Sequence, residues 1–482
     1  MKKYIFFPII LFPIFLFAQS EATLLGTWDD ESLQGTWLFD NTYNEIWGVA
    51  VNDKEYAVIG STVGTHFIDI TDPANPWEAF FLEGAATGGQ IIHRDYHDYG
   101  CHLYIACGEN TNSSTSTLQI VDLSSLPNSL DVVYDSGDLF TTSHNIFIDS
   151  ATARLYCLAV NGGPQGFDPM RIYDISNPAD PVFVGGYNQF GGNYIGHVHD
   201  VYADDNIAYL NCGNDGFYVV DFTDASNPVT LGSMTQYPMS GYNHSGWMAA
   251  DGIHYYMADE NHGMDLKVVD ISDPTDLEVS TLFNADGGSS SITHNQIVAC
   301  DYLYTSYYYD GLQIFDVSDP LNPVRVKYYH TSDEPNTESF KGAWGIYPFL
   351  PSGNILVSDM QNGLFIFEGI DPDCAGIPND LACSLSTDTE DLESASNQLR
   401  VFPQPVNADV LNIEIQLSKT QQNTQITMYD ISGRIIFSDE RDLVSGMNTI
   451  QYPGMANIVA GFYVLEVKSS EFSLTQKVVI GK

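Results

Sequence analysis

The chain reads as a long series of short strands. Apolar residues fall in brief runs or alternate with polar ones, and Gly, Asn, Asp and Pro punctuate the runs. One phrase recurs: HFIDITDPANP at 66–76, LQIVDLSSLPN at 118–128, RIYDISNPADP at 171–181 and YVVDFTDASNP at 218–228. LKVVDISDPTD at 266–276 and LQIFDVSDPLNP at 312–323 continue it, and LFIFEGIDP at 364–372 is a degraded last copy. The acidic residue of each copy is Asp69, Asp122, Asp174, Asp221, Asp270, Asp316 and Glu368, at intervals of 53, 52, 47, 49, 46 and 52 residues. That period fits one four-stranded blade of a β-propeller.

Each unit divides into four strands. The first opens as HNIFID at 144–149 or HDVYAD at 199–204, and the second carries Tyr56, Tyr104, Tyr156, Tyr209, Tyr256, Tyr304 or Leu356. The third is the repeated phrase, and the fourth follows its proline, as in PVFVGGY at 181–187. The last unit lacks a fourth strand, whereas TLLGTW at 23–28 resembles VTLGSM at 229–234 and has no unit of its own. The N-terminal strand is therefore expected to complete the seventh blade and to cover two sheet edges. The expected class is all-β: a seven-bladed propeller followed by a small C-terminal β-sandwich. In D-φ-[ST]-[DN]-P the Asp is read as accepting backbone N–H groups in a turn. A calcium role is the other reading, although one turn lacks the ligand number of an EF-hand loop.

From Ser384 to Asn397 and Gln398 the composition turns to Ser, Thr, Asp and Glu without apolar periodicity, which reads as a linker over 384–398. Alternating strands resume in 399–482, as LNIEIQL, TQITMYD, RIIFSDE, FYVLEV and QKVVIGK. At the other end, Lys2 and Lys3 precede an apolar run from Tyr4 to Phe17 and a small Ala18. These are the parts of a secretory signal peptide over residues 1–18, and the run is too short to span a bilayer comfortably. The propeller is then expected over 19–383, with no transmembrane segment in the mature chain.

Composition narrows the partners. With 17 basic and 62 acidic residues, the formal net charge is −45. Such a surface repels phosphate backbones and anionic membranes, so nucleic acid is excluded as a partner. Of the seven Cys, Cys101 and Cys107 fall on one predicted strand and cannot reach each other. Cys374 and Cys383, flanking a Gly- and Pro-containing loop, are the disulfide candidate; the others read as small buried hydrophobes.

Two resemblances follow from the quoted phrases. LQIVD, LKVVD and the SHN at 143–145 resemble the LVIVD-type repeats of extracellular propellers called choice-of-anchor B proteins, over about residues 23 to 372. VFPQPV at 401–406, MYDISGRII at 428–436, GFYVLEV at 461–467 and the final KVVIGK resemble the type A sorting domain of type IX secretion, with Gln404 where the usual residue is Asn. The second resemblance implies passage across the outer membrane of a Bacteroidota-like cell through the type IX machinery, and a secreted or surface-attached product. Neither implies an activity.

Chemistry gathers at the starts of the first strands. Aligning them gives Trp47, Arg94, His144, His199, His244, His294 and Trp344, each followed by a small or polar residue such as Asp95. In a propeller these positions line one end of the central channel, where loops add Glu109, Asp215, Glu260, His262 and Asp310, with His93 and His197 nearby in sequence. His144, His199, His244 and His294 could bind a divalent metal ion, or with Arg94 an anion. Alternatively, the same residues exchange hydrogen bonds that lock the blades. No G-x-S-x-G, H-E-x-x-H or phosphate-binding loop occurs. The expected function is a secreted or surface binding propeller for a protein or glycan. The alternative is a metal-dependent hydrolase or oxidoreductase using the His cluster.

Overall fold

The computed structural model describes residues 19–371 except 338, and residues 398–480 except 403–409, 418, 431–433, 456–457, 459–460 and 470–472. The chain divides between Leu385 and Ser386 into two compact units. The N-terminal unit is all-β, with only two single 3-10 turns among its described residues. Its short runs extend because β-branched and aromatic side chains suit a pleated surface buried on both faces.

Besides a two-stranded ribbon of Gln189–Phe190 and Asn193–Tyr194, the described residues of this unit form seven large sheets, six antiparallel ones of four strands and one of five. Their first strands are Tyr43–Val51, Arg94–Tyr99, Asn145–Asp149, Asp200–Asp204, Asn243–Met248, Gln296–Ala299 and Ala343–Tyr347. Each first strand contacts the next, and the seventh contacts the first, so the inner strands form a closed cycle. The fourth strand of the seventh sheet is Leu24–Trp28, which pairs antiparallel with Gly363–Phe367 in the register Leu24↔Phe367 to Trp28↔Leu364. Ser20–Glu21, not foreseen as a strand, adds a fifth strand parallel to Val324–Tyr329 of the sixth sheet.

The repeat explains the regularity. Asp69, Asp122, Asp174, Asp221, Asp270 and Asp316 each accept the backbone N–H two residues on, at 2.7–3.0 Å. The turn role of this Asp is thus visible in six copies. A bulge interrupts the pairing of the third and fourth strands in all seven sheets, which increases their twist. The turns also join sheets. A Cβ on Gly232 would lie 1.6 Å from the Pro274 carbonyl oxygen of the next sheet's turn, and one on Gly26 would lie 2.1 Å from that of Pro73. Only glycine lets the fourth strand approach so closely.

The cysteines depart in part from expectation. Cys107, Cys157 and Cys212 are free and buried, as small hydrophobes are. Cys101 and Cys300, however, are disulfide-bonded. Cys101 sits at positive φ in the hairpin turn before His102–Cys107 rather than on the strand, and Cys300 occupies the corresponding turn of the sixth sheet. Cys374 and Cys383 lie outside the described residues, as does the signal-peptide segment.

The C-terminal unit has a three-stranded and a four-stranded sheet. Val410–Leu417 alternates buried and half-buried side chains, and its Leu411, Ile413 and Ile415 share one core with Ile426, Met428 and Leu465 of the other sheet. Two of its strands, Gln398–Phe402 and Gly446–Pro453, were not read from the sequence.

Candidate functional site

At one end of the channel, six of the seven sheets each bring an aromatic ring to a common collar. Its members, in order, are His93, His144, His199, His244, His294 and Trp344. Successive ring centroids lie 4.5, 4.4, 4.0, 4.6 and 4.4 Å apart, and 5.3 Å closes the cycle from Trp344 to His93. Each ring precedes or opens a first strand, so the convergence follows from the closed cycle of inner strands.

Hydrogen bonds fix the tautomers. His199 Nδ1 donates to the His244 carbonyl at 2.9 Å, since a carbonyl can only accept. Its Nε2 therefore accepts, and His144 Nε2, 2.8 Å away, donates to it. His294 Nδ1 donates to the Trp344 carbonyl at 2.7 Å, which leaves the Nε2 lone pair free. His93 Nδ1 contacts Glu109, whose other oxygen accepts the backbone N–H groups of Ile92 and His93 at 3.0 Å. His244 Nδ1 and His197 Nε2 are buried without a well-formed hydrogen bond.

Beside the collar stands Glu260, at the end of the fifth sheet's second strand. Its Oε1 accepts from the Tyr308 hydroxyl at 2.6 Å, and its Oε2 lies 3.8 Å from His244 Nε2. His244, Glu260 and His294 present donor atoms that all lie within 4.8 Å of one another. Burial, reinforced by neighbouring imidazoles, holds His144, His199 and His244 well below the usual histidine range. Burial, helped by the neighbouring His93, brings His294 down to about 3, and burial raises Glu260 to about 7. Four of the collar's imidazoles, those of His144, His199, His244 and His294, are thus neutral at neutral pH.

One tier deeper, carboxyl and amide groups line a chamber of about 70 Å³, room for a few waters. The Glu45 carboxylate fills the place that Gly345 leaves: a Cβ there would sit 1.7 Å from Oε1. Glu45 Oε2 accepts from Asn295 Nδ2 at 2.8 Å. Asp95 Oδ2 accepts from the Ile146 N–H of the neighbouring sheet at 2.6 Å, and Asp200 Oδ1 accepts from Val201 N at 2.8 Å. Burial raises all three carboxyls: Asp95 to about 7, Asp200 to about 8, and Glu45 well upward with help from the Asp95 charge. Below them an aromatic tier that includes Phe147, Tyr202 and Trp247 surrounds the other end.

The expected channel face is therefore corrected at two positions. Arg94 does not reach the channel: it is buried between the first two sheets, donating from Nε to the Ser61 carbonyl and from Nη2 to the Ala86 carbonyl, both at 2.9 Å. His93, one residue earlier, takes the place assigned to it. Trp47 lies at the opposite end, donating to Asp98 Oδ1 at 2.7 Å and packing on His97 and Tyr347. The registers of the first and seventh sheets match Tyr43 with Ala343 and Trp47 with Tyr347, so Asn44, not Trp47, holds the place equivalent to Trp344. His144, His199, His244, His294 and Trp344 stand where expected, and Asp95 lies one tier below. Arg94 and the four neutral imidazoles of His144, His199, His244 and His294 thus offer no positive charge to an anion at the collar.

Residues 400–481 match the model of the secretion system C-terminal sorting domain. Residues 169–189, 195–236, 248–284 and 294–331 match the LVIVD repeat. The chain thus carries LVIVD repeats and a type IX sorting domain, which marks it as exported. No curated protein matches it. Solved structures similar to it include PorZ, a surface component of the type IX secretion system of Porphyromonas gingivalis, at 12% identity and TM-score 0.45 over 91% of this chain and 60% of that one. The chain thus spans well under two thirds of PorZ. Pseudomonas aeruginosa periplasmic gluconolactonase PpgL is similar at 13% identity and TM-score 0.48, over 85% and 99% of the two chains. A protein from Lactobacillus plantarum is similar at 11% identity and 0.45, over 85% and 99%. No helix of the described residues is long and apolar enough to cross a membrane.

Proposed function

We propose, starting from a chain with LVIVD repeats and a type IX sorting domain, that it is an exported seven-bladed propeller holding a ligand at the mouth of its channel. In this reading residues 1–18 are a signal peptide, 19–383 the propeller, 384–398 a linker, and 399–482 the part that engages the secretion machinery. The observation that carries the ligand half is the collar: five imidazoles and an indole from six sheets meet in one ring. Some of these groups do lock neighbouring sheets, as His199 and His294 do through Nδ1. Locking does not employ the His294 Nε2 lone pair or the Glu260 oxygen that lies 3.8 Å from His244 Nε2, and a ligand at the mouth gives these atoms a use. The acidic surface argues against a polyanionic partner.

Two measurements test the reading separately. In a host with type IX secretion, immunoblots of cells and medium, with surface proteolysis of intact cells, should find the native chain outside. A chain lacking 399–482 should remain in the periplasm, and its appearance at the surface would overturn the export half. For the mouth, thermal shift of the full chain against a panel of sugars, peptides and metal ions should find a stabiliser that fails on His199→Ala or on His294→Ala. Stabilisers acting equally on the parent and on both variants, or none at all, would overturn the ligand half.

A further inference from the structure

We infer that the collar holds one first-row divalent transition-metal ion, bound by His244 Nε2, His294 Nε2 and the Glu260 carboxylate. The inference rests on the mouth being a ligand site and names the ligand's class.

The distances carry it first. His244 Nε2 and Glu260 Oε2 are 3.8 Å apart, too far for a hydrogen bond. Ligands of a tetrahedral ion bound at about 2.0–2.1 Å stand roughly 3.3 Å from one another. The donor atoms of the set all lie within 4.8 Å of one another, near enough for one ion to gather them. Small side-chain rotations close the difference. The two imidazoles are buried, 2% and 5% exposed, and sit at the starts of adjacent first strands, so the scaffold already fixes their backbones.

The supporting contacts carry it further. A metal-binding imidazole commonly donates its other N–H to a carbonyl or carboxylate, which fixes the tautomer and aims the lone pair. His294 does this through Nδ1 to the Trp344 carbonyl at 2.7 Å. The third donor, Glu260, is held by the Tyr308 hydroxyl at 2.6 Å through the oxygen that does not face His244. Two of three donors thus have an outer partner that leaves the donor atom free. His244 makes only a poorly formed backbone contact, to His294, with its buried Nδ1 lacking a well-formed hydrogen bond. Two nitrogens and one carboxylate oxygen suit zinc and its first-row neighbours, whereas calcium and magnesium seek oxygen alone. With three protein donors, a fourth position stays open to water or to a group entering the mouth.

The test uses the full chain purified without chelator, analysed for metal, then stripped and titrated with Zn²⁺ by calorimetry in millimolar Ca²⁺. The expected result is one equivalent of Zn²⁺ with a micromolar or tighter Kd that Ca²⁺ does not displace. Co²⁺ in its place should give the visible absorption of a low-coordinate nitrogen-ligated ion. Tyr308→Phe, which removes only an outer hydroxyl, should weaken Zn²⁺ about 10–100-fold. His294→Ala should weaken it more, and His254→Gln, whose side chain pairs with Asp251, should not. Because Tyr308→Phe keeps the ligands, it decides the matter if His294→Ala does not fold. Failure to bind Zn²⁺ would overturn the inference, as would several weak equivalents indifferent to Tyr308→Phe, the signature of a merely acidic surface. A non-metal stabiliser dependent on His199, with no metal bound, would sink the inference and leave the mouth a ligand site.

Discussion

The channel's two tiers titrate in opposite senses, and their balance predicts how stability depends on pH. Burial sets the folded acidity of Asp200 at about 8 against an ordinary 3.8. Between those values the folded state holds a proton that the unfolded chain has released, so stability falls as pH rises. The slope is about 1.4 kcal/mol per pH unit for one carboxyl, or about 2 kcal/mol from pH 6.5 to 8. The collar acts the other way. Burial depresses His144, His199, His244 and His294, so the folded state binds fewer protons than the unfolded one below pH 6.5. Their contribution rises with pH and is complete once unfolded histidine has lost its proton. Stability should therefore peak near pH 6.5–7 and decline on the alkaline side. Asp200→Asn keeps an oxygen for the Val201 N–H while removing the ionisation. It should make the decline from pH 6.5 to 8 about 2 kcal/mol shallower, with Glu45, Asp95 and Glu260, which burial also raises, carrying what remains. For a unit of this size, with an unfolding entropy of about 2.1 cal/mol/K per residue, 2 kcal/mol corresponds to about 3 °C in Tm. Calorimetric scans of the metal-stripped chain at pH 5 to 9 measure it. A profile flat from 6.5 to 8, or a decline as steep in Asp200→Asn as in the parent, refutes the reasoning.

Two further outcomes are expected. Gly232→Ala, which drives a methyl into the backbone carbonyl of Pro274, should cost about 2–3 kcal/mol in urea unfolding; an unchanged midpoint would mean that the inter-sheet contact gives way freely. Lys267 and Asp259 form a fully buried pair at 2.7 Å, so Lys267→Met alone should cost about 3–5 kcal/mol, and adding Asp259→Leu should recover much of it; independent, additive losses would show that the pair is not coupled.

The repeat was legible because its Asp has one local task in every copy. A carboxylate that must accept an N–H two residues on leaves the same mark at Asp69 and at Asp316. The closing strand was legible because TLLGTW copies a fourth strand. Four collar histidines could be read because they keep one phase with the repeat. Arg94 and Trp47 could not: His93 precedes Arg94–Tyr99 as His144 precedes Asn145–Asp149, and the register puts Asn44, not Trp47, at the place of Trp344. The pairing of Glu45 with the space over Gly345 joins the first sheet to the seventh, and no local pattern records it. Cys101 and Cys300 were misread as strand residues, although both occupy the same hairpin turn of their repeats. Glu260 was visible as a loop acid, but its partnership with His244 and Tyr308 is purely tertiary.

The seam in the seventh sheet sets a clock on folding. Leu24 and Phe367 pair across nearly the whole unit, so one of its earliest strands must wait for one of its last. Until then Leu24–Trp28 has no sheet, and Gly363–Phe367 would present a bare edge to any other chain. Contacts so distant in sequence form slowly, and a partly made ring is at its most association-prone just before it closes. Once shut, the seam ties the earliest and latest parts of the unit into one cooperative event: trimming at either side of it would open the same joint, and the collar would lose the closed cycle of strands that brings its rings together.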